Sequence, residues 1–398
     1  MFRYLTAGES HGSCLIAIVE GVPAGLRLKG SFIDGELARR QIGYGRSKRM
    51  KMEKDRVEIL SGVRASVTIG SPICLLIPNR AEEKWQSSPP LTALRPGHAD
   101  LAGALKYNHK DLRNVLERSS ARETAIRVAV GAIAKTFMRE VGIEIISHVT
   151  QIGSVRADSA IELILESKKV KPPTFRVGAP KSKVKSWEDE TRKILSKIDR
   201  SPVRCIDGKA SQRMKKKIDE AKRRGDTLGG IFEVIVTGIP PGLGSYVHWD
   251  RKLDGRLTQA VMSIQAIKGV EIGLGFSYAD SSGSEVHDEI LYRDGFRHKS
   301  NNAGGLEGGV TNGEPIILRA VMKPIPTLQT PLPSIDLITK KKTQASVQRS
   351  DICAVPAAGV VAEAVVAIEM AEAFQEKFGG DTSREVKGNY KAYLKVIG

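Results

Sequence analysis

AAGVVAEAVVAIEMAEAFQEKFGG, residues 357–380, is apolar on every side through its first half, so as a helix it belongs inside a protein. Pro356 stands ahead of it and Gly379–Gly380 close it, the Pro-before, Gly-after asymmetry of a helix over 357–378. A second buried helix is readable in ERSSARETAIRVAVGAIAK, residues 117–135. There Ala125, Val128, Ala129, Ala132 and Ile133 form a core-facing stripe, and Ile126 and Val130 add apolar surface off it, which predicts a helix over about 119–140. Further helices are predicted at 210–224 and 252–267. Around them lie short strand-like runs bounded by Gly and Pro: VEILSGV, ICLLIP, IFEVIVTGIP and PIILRAV. Strands and helices do not alternate strictly, so a doubly wound parallel sheet is disfavoured. The expectation is an α+β fold, one large domain over 1–398 with a basic peripheral insertion at about 166–225.

The bulk numbers narrow the function classes. The chain has 398 residues, 41% of them hydrophobic, and no apolar run long enough to span a membrane. Its start, MFRYLTAGESHG, lacks the charged and apolar regions of a signal peptide, so a cytoplasmic protein is expected. Cys14, Cys74, Cys205 and Cys353 are scattered without a CxxC pair, which disfavours a metal site or a disulfide framework. The formal charge is +17, and residues 166–225 supply +12 of it, with 20 Lys or Arg against 8 Asp or Glu. That stretch reads either as a solvated surface or as a site for a polyanion. Aromatics at 5% are sparse for base-stacking recognition.

Motifs that would assign a common chemistry are missing. GYG at 43–45 and GLG at 242–244 lack the third glycine of a dinucleotide fingerprint, and there is no phosphate-binding P-loop, G-x-S-x-G elbow or HExxH. Other stretches combine Arg, His and Gly. In 117–123, Ser120 and Glu123 have capping-box spacing, with the serine oxygen expected on the amide of Glu123. Arg118 and Arg122 then flank a helix start that is already partly positive. Either a ligand anion sits between them, or an intramolecular carboxylate such as Glu117 or Glu123 does. TAGESHG (6–12) sets His11 beside glycines, for a structural role or for close ligand approach. RRQIGYGRSKRMKME (39–53) is an anion cradle or an ordinary basic loop. In RPGHAD (95–100), His98 has its tautomer fixed by a neighbouring carboxylate or caps a loop. NNAGGLEGGVTNGEP (301–315) lets a flat ligand approach backbone, and KPIPT (323–327) is held extended by Pro324 and Pro326. Arg349 and Asp351 precede the buried C-terminal helix as a salt bridge or as site residues.

Taken in order, TAGESHG, GYGRSKRMKME, RPGHAD, RSSARETAIRVAVGAIAK, GLGSYVHWDRKLDGRLTQAVMSIQAIKGVEIGLGF, NNAGGLEGGVTNGEPI, KPIPT and RSDICAVPAAG resemble the chorismate synthase family closely. The resemblance covers essentially the whole chain except 155–225 and the 80–94 connection. It implies helices sandwiched between antiparallel β-sheets, a homotetramer, and a 1,4-anti elimination of phosphate from 5-enolpyruvylshikimate 3-phosphate to give chorismate. Reduced FMN is required without net redox change, and NADPH enters only indirectly, through a separate flavin reductase, since the matched blocks leave no room for an appended one. The family pattern places Arg40, Arg46, Arg49, Arg95, Arg122 and Arg349 at the substrate. It places Arg118, Ser119, Ser120, Gln265, Ala266, Gly308, Lys323, Pro324, Ile325, Pro326, Thr327 and Arg349 at FMN. His11 is implied as general acid at the leaving phosphate, His98 as the group managing the flavin's protonation, and Asp351 as the group helping to remove the ring proton. Gln265 departs from the family's frequent Asn; a retained hydrogen bond with altered reach is expected. No metal, membrane or nucleic acid is implied. A nucleic-acid-binding protein using 166–225 and a flavoprotein with net redox are the competing readings.

Overall fold

The computed structural model describes residues 2–46, 54–79, 89–159, 191, 193–292, 295–348 and 350–397. Arg49, Arg349 and the KKVKPP and PKSKVKS runs lie outside the described residues.

Two antiparallel sheets carry the fold. The first is built from β1 (Arg3–Gly8), β2 (Cys14–Glu20), β3 (Glu58–Ile59) and β4 (Ile73–Pro78), in the order β1-β2-β4-β3. Its strands alternate: Leu15, Ala17 and Val19 of β2 and Ile73, Leu75 and Ile77 of β4 turn inward and are fully buried. Three helices follow parts of this sheet: α1 (Gly30–Gln41), α2 (Asp100–Tyr107) and α3 (Arg113–Ser119). The long α4 (Thr124–Glu140) leads into the second sheet. That sheet comprises β5 (Glu144–Ile152), β6 (Val155–Arg156), β7 (Gly230–Thr237), β8 (Ile267–Ile272) and β9 (Ile316–Met322), in the order β8-β9-β7-β5-β6. Between β6 and β7 lies α5 (Gly208–Arg223), and between β7 and β8 lies α6 (Leu253–Met262). The chain closes with α7 (Val355–Phe378) and α8 (Ser383–Val396).

Helix α4 packs on β2 and β4, α7 packs on β5 and β7, and α4 and α7 pack against each other along much of their length. Gly131 makes this crossing close. A Cβ there would stand 2.3 Å from the Ala364 Cβ, so only a bare α-carbon fits. The central strands β5 and β7 are buried along nearly their whole length because both faces are covered. α7 covers one face; on the other, Ile146, Ile235 and Ile317 pack with Ile194, Leu195, Ile198 and Ile206.

Four sequence expectations need correction. The helix expected over 119–140 is divided: α3 ends at Ser119, Ser120 is extended, a 3-10 turn spans Ala121–Glu123, and α4 starts at Thr124. Ser120 accepts from the Arg122 amide, not from Glu123, and Glu123 turns to Arg127 instead of closing a capping box. The helix expected over 252–267 stops at Met262, because Ala266 takes a left-handed φ of +67° and Ile267 opens β8. The described end of the 166–225 stretch is not peripheral on its apolar side. Ala210, Met214 and Ile218 of α5 enter the main core, while the exposed face carries Arg213, Lys216, Lys222 and Arg223 as a solvated surface.

Candidate active site

The loop between β1 and β2 docks on the end of α3. Ser10 N–H donates to the Glu117 carbonyl at 2.9 Å, and its hydroxyl meets that of Ser120 at 3.2 Å. His11 is gripped twice by one carboxylate: its backbone N–H donates to Glu117 Oε2 at 2.8 Å and its Nδ1 lies 2.9 Å from Oε1. Burial opposes charge on Glu117, but the hydrogen bonds from His11 and Ser10 outweigh it and hold the carboxyl below its ordinary range. Arg118 reaches back to the same loop, donating to the carbonyls of Gly8 and Thr6 and to the Thr6 hydroxyl. Among the described residues neither Glu117 nor Glu123 forms an ion pair with Arg118 or Arg122. Glu117 is committed to His11, and Glu123 to Arg127 and Gln265.

Arg122 instead pairs with Asp55, 67 positions away, at 2.7 Å, and donates from Nε to Asn79 at 3.0 Å. Asp55 also faces Arg40, at 3.8 Å. Arg40 comes off the last turn of α1 and donates to the Thr124 hydroxyl at 2.9 Å and to the Ala121 carbonyl at 2.8 Å, at the mouth of α4. Complete burial, with Arg46 and Arg122 nearby, outweighs Asp55 and lowers Arg40 to about 10. Arg46 ends the GYGR turn and pairs with Asp351 at 2.9 Å. That turn rests on α5: Tyr44 donates to Asp219 at 2.8 Å, and Gly45 faces Ile218. The Asp351 partner seen here is thus Arg46, with Arg349 outside the described residues.

The RPGHAD turn forms a second cluster. Asp100, fully buried at the start of α2, accepts from Arg95 Nε and Nη2 at 2.8 Å each and lies 2.6 Å from His98 Nδ1. Burial disfavours its charge, yet Arg95 and His98 push its carboxyl far below the usual range. The carboxylate that fixes the His98 tautomer is therefore Asp100, with Nδ1–H donating to it, because an ionised carboxylate 2.6 Å away can only accept. Arg95 Nη1 lies 3.4 Å from the Thr327 hydroxyl, and Lys323 Nζ donates to the Gly97 carbonyl, so RPGHAD and KPIPT hold each other. Pro324, Ile325 and Pro326 carry the segment between; the Ile325 carbonyl accepts from Thr227 at 2.7 Å, and Pro326 flanks Gly97.

A third group joins the two. Gln265 Nε2 donates to Glu123 Oε1 at 2.7 Å, and the next residue, Ala266, accepts the Lys323 amide at 2.9 Å. The chain thus links Ser120 and Arg122 to Lys323 and His98 through Glu123 and Gln265–Ala266. Gly308 stands apart from these contacts, in a tight hairpin with φ +60° beside Tyr246. Sequence reasoning missed Asp55, Glu117 in its actual role, and Asn79. Only Asp100, two residues from its histidine, had a local signal.

Several of these residues keep buried polar atoms without a hydrogen-bond partner among the described residues: Arg40 Nη1, Arg46 Nε, Ser119 Oγ and Gln265 Oε1. An unmet buried donor or acceptor costs about 1–3 kcal/mol, so this arrangement fits a site finished by a polar, anionic ligand. The two arginine donors suit carboxylate or phosphate, and the serine and amide oxygens suit the N–H and O–H groups of a flavin.

The chain matches the family model described as chorismate synthase over residues 2–375. It is 54% identical to the chorismate synthase of Geobacter sulfurreducens, with 100% of this chain and 99% of that protein covered. Against the chorismate synthase of Carboxydothermus hydrogenoformans the identity is 53%, with 100% and 99% covered. A solved structure titled a crystal structure of chorismate synthase superposes with a TM-score of 0.77 at 45% identity, covering 100% of this chain and 98% of that one.

Proposed function

The chain belongs to the chorismate synthase family and has its carbon–oxygen lyase function, and we propose that the linked clusters around Arg40, Arg95 and Gln265 are where that reaction takes place. The observation that carries this reading is the set of buried polar atoms on Arg40, Arg46, Ser119 and Gln265 that make no hydrogen bond among the described residues. The substrate, 5-enolpyruvylshikimate 3-phosphate, has a phosphate and two carboxylates, and guanidinium forks suit both groups. Arg40, Arg46, Arg95 and Arg122, with Arg49 and Arg349, would hold these anions against the α4 mouth. Arg118, Ser119, Ser120, Gln265, Ala266, Gly308 and Lys323–Thr327 would hold FMN. Bound reduced FMN would supply electron density transiently, leaving no net redox change.

The chain's own residues handle the protons. His11 gives a proton to the departing phosphate oxygen as the C–O bond breaks. Asp351, held by Arg46, helps take the ring proton at the other end of the allylic system. His98, oriented by Asp100, manages the proton at the flavin's N1–C2 oxygen edge. A histidine suits such roles because its ordinary pKa lies near working pH. The layered fold, helices sandwiched between sheets in a single domain, is part of the same reading and is supported by α4 facing the first sheet and α7 the second. So is a homotetramer: Tyr246, Trp249, Phe276, Tyr292 and Phe296 are each at least 74% exposed, which suits an interface. Among the described residues no helix is long and apolar enough to cross a membrane. A cytoplasmic location, with NADPH acting only through a separate reductase, completes the proposal.

An anaerobic assay with dithionite-reduced FMN and the enolpyruvyl substrate tests it. Chorismate and free phosphate should appear in equal amounts while the flavin stays reduced over many turnovers, and His98→Ala should lower kcat by about 10²–10⁴-fold. Flavin oxidised in proportion to chorismate, or efficient turnover with oxidised FMN and NADPH alone, would refute it.

A further inference from the structure

We infer that Glu117 is a positioning residue for His11, forming with it a carboxylate–imidazole pair that fixes which ring nitrogen carries the proton. This rests on the proposed role of His11 for its catalytic meaning, but the pair itself stands on geometry. One carboxylate spends both oxygens on one residue, Oε2 on the His11 backbone N–H at 2.8 Å and Oε1 on Nδ1 at 2.9 Å. Both side chains are largely buried, at 10% and 20% exposure, so the interaction is little weakened by water. Glu117 is itself fixed, since it sits in the last turn of α3 and its carbonyl takes the Ser10 amide.

The chemical consequence follows from the donor inventory. A carboxylate on Nδ1 keeps Nδ1–H in place, so a proton is exchanged at Nε2. In the elimination, Nε2–H would pass its proton to the phosphate oxygen that receives the C–O bonding pair. His11 would become neutral with Nδ1–H still on Glu117. Other charges around the loop are Glu9 within it, Arg118 on the Thr6 and Gly8 backbone, and Arg122, which reaches it through Asn79.

The test is histidine NMR on the full chain with ¹⁵N-labelled imidazoles, His11 being assigned by comparison with His11→Gln. Wild-type His11 should show the Nδ1–H tautomer when neutral. Glu117→Gln, whose amide can present either an oxygen or an N–H to Nδ1, should lose that preference and show a mixed or Nε2–H population. Glu117→Asp, which keeps the carboxylate, should retain more of the Nδ1–H form. In turnover, Glu117→Gln should lower kcat with KM changed less than about threefold. A wild-type Nε2–H tautomer, or an unchanged tautomer in Glu117→Gln, would overturn the inference. The tautomer is read without turnover, so a failure of the lyase mechanism would be seen separately.

Discussion

Arg39 and Arg40 are neighbours on α1, yet they enter two different charge networks. Arg39 joins Lys135 of α4 and Arg204 in a buried cluster with Glu36, Glu363 and Asp199. Three cations meet three carboxylates, and Ser147 donates to Glu363 as well, at 2.7 Å. Despite the cost of burial, Arg39 is held well above its ordinary value and Glu363 well below, each by the opposite charges around it. Arg40 enters the other network, where Arg46 and Arg122 are its fellow cations and Asp55 and Asp351 the described carboxylates that pair with them. There burial wins and Arg40 falls to about 10, whereas in the first network burial prevails on Arg204 alone among the two arginines. Arg204 Nε is a partnerless atom in the first network, but the second has unmet donors on two arginines. A balanced cluster locks helices together; an unbalanced one waits for an anion. The difference separates structural charge from functional charge without reference to any ligand.

The contrast can be broken by exchanging the roles. Arg40→Met should lower kcat/KM by about 10²–10³-fold, the scale of losing a desolvated charge pair worth roughly 3–4 kcal/mol, while leaving the thermal midpoint unchanged or raised. A large fall in melting temperature with normal turnover in the folded fraction would put Arg40 in the structural class. Glu363→Gln should do the reverse, costing about 3–5 kcal/mol of stability, because it leaves buried cations uncompensated, with near-normal kcat in what remains folded. Its pH dependence has a definite sign. The folded pKa of Glu363 is depressed from 4.5, so its contribution is present above that value and lost as pH falls through the lower folded value. The stability gap between wild type and Glu363→Gln, followed by urea unfolding, should therefore be full at neutral pH and narrow on acidification. A gap that widened in acid would contradict the balanced-cluster account. The smallest effect is expected at Lys216 on the solvated face of α5, where alanine should change stability by less than about 0.5 kcal/mol and leave kcat/KM unaltered.

Local signals carried the fold further than the site. Helix α7 was readable because Pro356, an all-apolar first half and Gly379 each speak for themselves. The end of α6 was not, since the left-handed turn falls on Ala266, a residue with no turn signature, between helix-compatible neighbours. Ser120 reads as the cap of one helix but separates two: Arg118 ahead of it is drawn to Gly8 of β1, and Arg122 behind it to Asn79, just past β4. In the candidate site the cations were legible as residue types, and their partners were not. Asp100 sits two positions from His98 and could be guessed, whereas Asp55 and Arg122, or Glu117 and His11, meet only through tertiary folding across 67 and 106 positions. The basic stretch misled for a related reason. A charge count says nothing of which side chains face inward, and Ile218 and Asp219 of α5 prop the GYGR turn.

The missing side chain at Gly131 acts as a pair of calipers. It lies seven residues into α4, and the Ala364 it touches lies nine residues into α7, so each helix starts about 10–14 Å from the crossing. Ser120 and Arg122 ride just ahead of one arm, and Asp351 just ahead of the other. The gap between the jaws is therefore set inside the core, by two buried backbones pressed together. A methyl group inserted there would wedge the arms apart and change the span offered to a rigid six-membered ring, while every charged group kept its identity.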